Sequence, residues 1–275
     1  FDAIRANRAR AGLTILGIAV GVFVVTVMSA AVHGINAGVM RSIDAAGPST
    51  FYVTKWPGEP TTCNGSADSC PWRRFPPLTI DLQRAIQRLP SIQLAVGEVG
   101  SSAGVRYADR DLPGVGLNAY TPGWLDIQGG DLVAGRDFTA GENAAGAPVV
   151  IVNEKLAERL FADGDPVGRA VRVNGQQFTV IGVHRPIATA FDAGEKGRMV
   201  VPFEAARRRL DVGVRWMSLS VKPHPGVDRD AAMDEVLTLL RAERKLRPGE
   251  ENDFFVSTPE KLRAMYDKFV GAFFL

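Results

Sequence analysis

Gly12-Leu-Thr-Ile-Leu-Gly-Ile-Ala-Val-Gly-Val-Phe-Val-Val-Thr-Val-Met-Ser-Ala-Ala-Val32 is an uncharged run of about 21 residues. As a helix rising ~1.5 Å per residue it just spans the ~30 Å hydrocarbon core of a bilayer. Eleven of its side chains are Leu, Ile, Val or Phe. Each of these favours insertion by roughly 0.3–0.6 kcal/mol, and no charge is present to impose the opposing ~2.5–3.5 kcal/mol. The run therefore reads as a transmembrane helix over residues 12–32, and the rest of the chain has to be placed relative to an anchor.

Arg5, Arg8 and Arg10 precede the run, whereas the next basic side chain after it, apart from His33, is Arg41. The excess of arginine puts residues 1–11 in the cytoplasm and everything after residue 32 outside. A cleaved signal peptide is the rival reading, with Ser29 and Ala31 as small residues before a cleavage site. Against it, the apolar run exceeds the usual 7–15 residues or so of a signal peptide. The first residue is Phe1, which leads one to expect further cytoplasmic sequence ahead of it. Gly17 and Gly21 form a GxxxG on one helix face, and Gly34 and Gly38 form another beyond the bilayer. Such spacing suits close packing against a neighbouring membrane helix, although membrane helices also carry glycine without that role.

At the other end, Leu262, Met265, Tyr266 and Phe269 share a helical face, and the chain turns wholly apolar from Phe269 to Leu275. Residues 261–275 read as the start of a second membrane helix cut short, or else as a domain helix that ends there.

The composition bounds the function. With 32 basic and 30 acidic residues the net charge is +2, which gives no footprint for nucleic acid. The run Arg207-Arg208-Arg209 reads as a solvated helix face. Cys63 and Cys70 lie in a loop rich in Gly, Ser, Asn and Pro. That spacing suits a small disulfide loop in an oxidising compartment, or two free thiols. A zinc site would need more ligands, and His33, His184 and His224 are scattered far from the pair.

Between the two apolar ends, strand and helix signals alternate. Phe51–Lys55 reads as a strand. Thr79 can cap a helix whose Leu82, Ala85, Ile86 and Leu89 share a face and which Pro90 ends. Ile92–Val99 and Gly114–Tyr120 then read as strands. A second block opens near Trp124: Pro148–Val152 is a short continuous apolar strand, Asn153 caps a helix burying Leu156, Leu160 and Phe161, and Gly164 breaks it. Asn174-Gly175 is a hairpin turn between Val171, Val173 and the returning Phe178–Val183. The last block repeats the first: a strand from Trp216 to Val221, a helix opened by Asp228 with Met233, Val236, Leu237 and Leu240 on one stripe, a stop at Pro248-Gly249, and a strand at Phe254–Val256. The expected fold class is α+β, in two subdomains with one inserted in the other. Residues 33–123 and 214–260 form the membrane-proximal subdomain and 124–213 the insert.

Taken in order, Leu13-Thr-Ile-Leu-Gly-Ile-Ala-Val-Gly21, Gly135-Arg136-Asp137-Phe138, Val149–Asn153 with Leu160-Phe161, Asp165-Pro-Val-Gly168 and Phe178–Val183 resemble the permease subunits of the MacB type of ABC transporter. The resemblance runs over nearly the whole chain. It implies a permease of four membrane helices with a large two-subdomain periplasmic domain between the first and second. Such permeases sit in the bacterial inner membrane, work as homodimers or paired permeases with an ABC ATPase subunit or domain, and relay the nucleotide cycle as movement. Relatives engage a periplasmic adaptor or outer-membrane partner. The resemblance supplies no catalytic residue and no cofactor within this region, ATP being bound by the partner ATPase. The Pro57–Pro77 loop with its cysteine pair has no counterpart in that pattern.

No G-x-x-x-x-G-K-[ST], G-x-S-x-G or H-E-x-x-H is present. Gly114-Val-Gly116-Leu-Asn-Ala119 fits a dinucleotide motif by letter, but Thr121-Pro122-Gly123 follows where a helix would have to begin. The sequence thus favours a non-enzymatic permease driving efflux or release of a substrate on the periplasmic side. A membrane-anchored extracytoplasmic sensor or binding domain is the alternative.

Overall fold

The computed structural model describes residues 8–45, 47, 49–57, 63, 66, 68–162, 164–187, 196–261, 263 and 264. Met265, Tyr266, Phe269 and Leu262, on which a second apolar helix was expected, lie outside the described residues.

Helix α1 runs unbroken from Arg8–Ala45, 38 residues. At ~1.5 Å per residue that is about 57 Å, well beyond what the bilayer requires. The lipid-type stretch Gly12–Ala30 is its inner half, and His33 to Ala45 continue it without a proline. Gly47, just beyond the helix, has φ +85°.

Beyond the helix, two split β-α-β units interlock. The first is β1 (Phe51–Thr54), α2 (Ile80–Gln87) and β2 (Ile92–Tyr107). The second is β9 (Ser218–Pro223), α7 (Arg229–Glu243) and β10 (Phe255–Ser257). The strand order β10-β1-β9-β2, antiparallel throughout, threads β9 between the strands of the first unit and β1 between those of the second. This is a ferredoxin-like arrangement, which explains why the first and last thirds of the chain repeat one pattern. Its core joins Phe51, Val53, Ala95, Leu219 and Val221 of the strands to Ile86 of α2 and Ala232, Val236 and Leu240 of α7. Thr79 caps α2 through Leu82 N, and Asp228 caps α7 through Ala231 N.

The residues between β2 and β9 supply the rest. They comprise β3 (Arg110–Tyr120), α3 (Leu125–Gln128), β4 (Asp131–Gly135), α4 (Ala140–Ala145), β5 (Val149–Asn153), α5 (Glu154–Phe161), β6 (Ala170–Val173), β7 (Gln176–Arg185), β8 (Arg198–Pro202) and α6 (Phe203–Arg209). The sheet continues β2-β3-β8-β5-β7-β4, with β3–β8 and β5–β7 parallel. Strand β6 pairs with both β7 and β2, so β2, β3, β8, β5, β7 and β6 close into a ring of hydrogen-bonded strands. Boundaries expected at residues 123/124 and 213/214 fall between β3 and α3 and after α6. Across the first of them β3 and β8 are hydrogen bonded from Gly116↔Arg198 to Tyr120↔Pro202.

Two strands are longer than their sequence suggested. Strand β2 runs on from Val99 to Tyr107, because Ala103 and Val105 stay buried while Gly100, Ser101 and Ser102 face solvent. Strand β3 begins at Arg110 rather than Gly114, and the dinucleotide-like letters lie wholly inside it. Trp216 belongs to a 3-10 turn, Val214–Trp216, and not to the strand that follows. The arginine run is also more than a solvated face: Arg207 and Arg208 both pair with the buried carboxylate of Glu204, and Arg209 Nε donates to Gly146 O.

Candidate functional site

The apolar half of α1 stands exposed among the described residues. Leu13 is 75% exposed and Phe23 68%, and every residue from Gly12 to Met28 is exposed. A Cβ placed at Gly17 or Gly21 would meet no atom within 4 Å. Among the described residues the GxxxG face is thus open. Thr26 Oγ1 donates to Val22 O at 2.8 Å, which satisfies that hydroxyl within the helix. Helix α1 comes alongside α3, and there it meets the domain.

Helix α3 is held by a polar and aromatic node. Trp124, at its start, is fully buried, stacks on Tyr120 at 5.4 Å and meets His184 edge-on at 4.9 Å. Its Nε1 donates to Asp137 Oδ1 at 2.9 Å. Behind it, Asn118 Nδ2 donates to Tyr120 Oη, Tyr120 Oη donates to Glu98 Oε1 at 3.1 Å, and Gln128 Nε2 donates to Glu98 Oε2 at 3.3 Å. Burial pushes the Glu98 carboxyl above its ordinary range, against the opposing pull of the Tyr120 hydroxyl and the Arg198 charge. Burial, then the Glu98 charge, drives the Tyr120 phenol well up. Burial lowers the pKa of His184, against the opposing pull of its bond to Gly129, and Nε2 donates to Gly129 O at 3.0 Å. A cleft of about 70 Å³ opens beside the node, lined by Asn118, Trp124, Gln128, Asn153 and Arg198 among others.

The cysteine loop lies at another edge. Cys63 and Cys70 are joined as a disulfide with their Cα atoms 5.4 Å apart. Cys70 leads into a 3-10 turn, Pro71–Arg73, whose Trp72 meets Trp216 edge-on at 5.9 Å, and Trp216 meets Trp56 at 6.0 Å. Lys55 is wholly buried beneath them. Its signal in the sequence was slight, a lone lysine closing a β-rich run.

The ordered motifs prove to be folding devices. Gly135 has φ +73°, and a Cβ there would fall 2.1 Å from Ile181 O. Arg136 grips Glu142 through both carboxylate oxygens, Asp137 anchors Trp124 and the Phe138 N–H, and Phe138 is buried. Asn153 Oδ1 caps α5 through Leu156 N and also takes Arg198 N, joining β5 to β8. Asp165 Oδ1 takes Val167 N, and Gly168 turns with φ +81°. Among the described residues no group of three or more His, Cys, Asp or Glu is placed to hold a metal ion.

A ferredoxin-like sheet with a strand ring inserted in it, carried on one exposed apolar helix long enough to cross a membrane, defines an α/β domain of the anchored type. Comparison with known proteins narrows this. A family model described as the MacB-like periplasmic core domain matches residues 11–239. The macrolide export ATP-binding/permease protein MacB of Neisseria meningitidis serogroup A is 26% identical over 270 residues, covering 98% of this chain and 40% of that protein. The pyoverdine export ATP-binding/permease protein PvdT of Pseudomonas putida is 30% identical over 239 residues, covering 84% of this chain and 34% of that protein. The crystal structure of the periplasmic region of MacB from Actinobacillus actinomycetemcomitans superposes with a TM-score of 0.65 at 20% identity, over 83% of this chain and 97% of that one. The chain therefore belongs to the MacB-like periplasmic core domain family, and it spans well under half the length of these curated relatives.

Proposed function

We propose that this chain is the first membrane helix and extracytoplasmic core domain of an ABC exporter permease, and that it relays movement rather than performing chemistry. The observation that carries the reading is the continuity of α1: one 38-residue helix enters from the lipid span and reaches α3 at the domain. A helix transmits rotation and tilt along its axis because each turn is hydrogen bonded to the next. In this reading an ABC ATPase on the cytoplasmic side drives the helix ends. A second permease copy packs against the open Gly17–Gly21 face, and a periplasmic adaptor or outer-membrane partner receives the movement. The protein then sits in the inner membrane with residues beyond 32 on the periplasmic side. The subdomains 33–123 with 214–260 and 124–213 are, in the same reading, the two ends of one sheet.

The test is a break in the lever. In the full-length gene product, with its ATPase, Ala37→Pro removes a helical hydrogen bond and kinks α1, at a cost of about 3 kcal/mol to the straight helix. Export should fall at least tenfold while membrane insertion and basal ATP hydrolysis persist. Unchanged export in the kinked variant defeats the relay.

A further inference from the structure

The Pro71–Arg73 turn carries more than its share of contacts. The Arg73 carbonyl accepts from Lys55 Nζ at 3.2 Å and from Arg215 Nη2 at 2.8 Å. Lys55 is 0% exposed, and its ammonium lies over the Trp216 ring at 5.3 Å. Burial lowers the lysine's pKa, and the Arg215, Arg244 and Arg73 charges lower it further. A carbonyl and an indole face are therefore what make this buried cation tolerable; the carbonyl belongs to the turn, and the indole is that of Trp216, which Trp72 of the turn meets edge-on. The turn in turn begins at Cys70, with Arg73 N donating to Cys70 O at 2.9 Å.

We propose that the Cys63–Cys70 disulfide is a thiol–disulfide exchange site whose oxidation state decides whether Lys55 is covered or open to solvent. The two sulfurs are not equivalent. Cys70 is 0% exposed and Cys63 is half-buried, so Cys63 is the more open of the two to an incoming thiolate. The co-reactant is an extracytoplasmic dithiol. One of its thiolates attacks Cys63 Sγ and forms a mixed disulfide; the electron pair of the broken S–S bond leaves on Cys70 Sγ, which takes a proton from water. The second thiolate of the dithiol then displaces Cys63, leaving the reagent oxidised by two electrons and both cysteines reduced. Once the link is cut, the turn is held to the sheet by the hydrogen bonds it receives and by Trp72 against Trp216. Exposed ammonium is better hydrated in water than under a carbonyl, so Lys55 opposes re-closure. Oxidation reverses the sequence. This inference stands apart from the exporter reading and requires only that residues past the membrane helix meet an oxidising compartment.

The experiment uses the full chain in detergent micelles, with acetic anhydride as an amine footprint read by mass spectrometry. Lys245, which is exposed, is the internal reference. With the disulfide intact, Lys55 should acetylate at least tenfold more slowly than Lys245. Dithiothreitol, with alkylation confirming two free thiols, should raise the Lys55 rate at least tenfold and leave Lys245 unchanged. The double variant Cys63→Ser, Cys70→Ser should match the reduced protein without reductant. Three results overturn the proposal: Lys55 still protected after confirmed reduction, Lys55 reacting at the reference rate while the disulfide is intact, or both cysteines alkylating in protein prepared under oxidising conditions. Far-UV circular dichroism separates local release from global unfolding, and a collapse of the whole spectrum on reduction also counts against a local clasp.

Discussion

Glu98 carries a carboxylate on a largely covered sheet face, with hydrogen bonds from Tyr120 and Gln128 and the Arg198 charge only partly offsetting its burial. Its folded pKa is raised, so the folded state holds a proton that the unfolded chain has already released. Stability from this group therefore falls as pH rises from the ordinary carboxylate range through the raised value. Glu98→Gln removes the charge and keeps an oxygen that can accept from Tyr120. The variant should match the parent near pH 4.5 and become the more stable of the two by about 1 kcal/mol at pH 8, since burial penalises the charged carboxylate more than its partners offset. Urea unfolding of both proteins across that range checks it. A constant difference at every pH removes Glu98 as the cause.

Helix α4 shows the opposite sign. Thr139 and Glu142 make a reciprocal capping box, and Arg136 adds two hydrogen bonds to the same carboxylate. These hold the Glu142 pKa down to about 2, chiefly through Arg136 and then the Thr139 N–H. A depressed carboxylate contributes stability that is complete above about 4.5 and is lost as pH falls toward 2. Arg136 is more than half exposed, so solvent screening keeps the effect small. Glu142→Gln should cost about 1 kcal/mol at pH 7 and progressively less below pH 4. Local devices of this kind were legible in the sequence. Thr79, Asn153 and Asp228 cap the helices they were expected to open, and Asn174 and Gly175 both take positive φ at the hairpin turn. What escaped was non-local. Strand β4 exposes alternate residues and offers little apolar signal, and β8 is defined by partners about eighty and fifty residues away in sequence, β3 and β5. The Glu98 node was hidden for the same reason: its members come from β2, β3 and α3, and nothing in their spacing brings them together.

The molecule as a whole is knit by strands that serve both ends. Strand β2 pairs with β9 through its first half and with β3 and β6 through its second, while β3 passes the sheet on to β8. The insert is therefore an insertion in sequence but shares its hydrogen-bonded ladder with the ferredoxin-like part, and closing the ring through Val105↔Val173 adds a second link. The relay proposed above would need such a body, because movement entering at α3 would reach distant strands only if the sheet did not shear between them. The expectation is a single cooperative unfolding of the extracytoplasmic part. Val201, fully buried on β8 opposite Ala119 of β3, is the place to probe it. Val201→Ala leaves a cavity at the join and should cost about 2 kcal/mol. In full chain held in micelles, the fluorescence of Trp124 in the insert and of Trp216 in the ferredoxin-like part can be followed separately by replacing the other tryptophans with Phe. Both midpoints in urea should move together, by equal amounts. If Val201→Ala lowers the Trp124 transition and leaves Trp216 where it was, the two parts unfold independently, and the sheet cannot carry force from the membrane helix to the far strands.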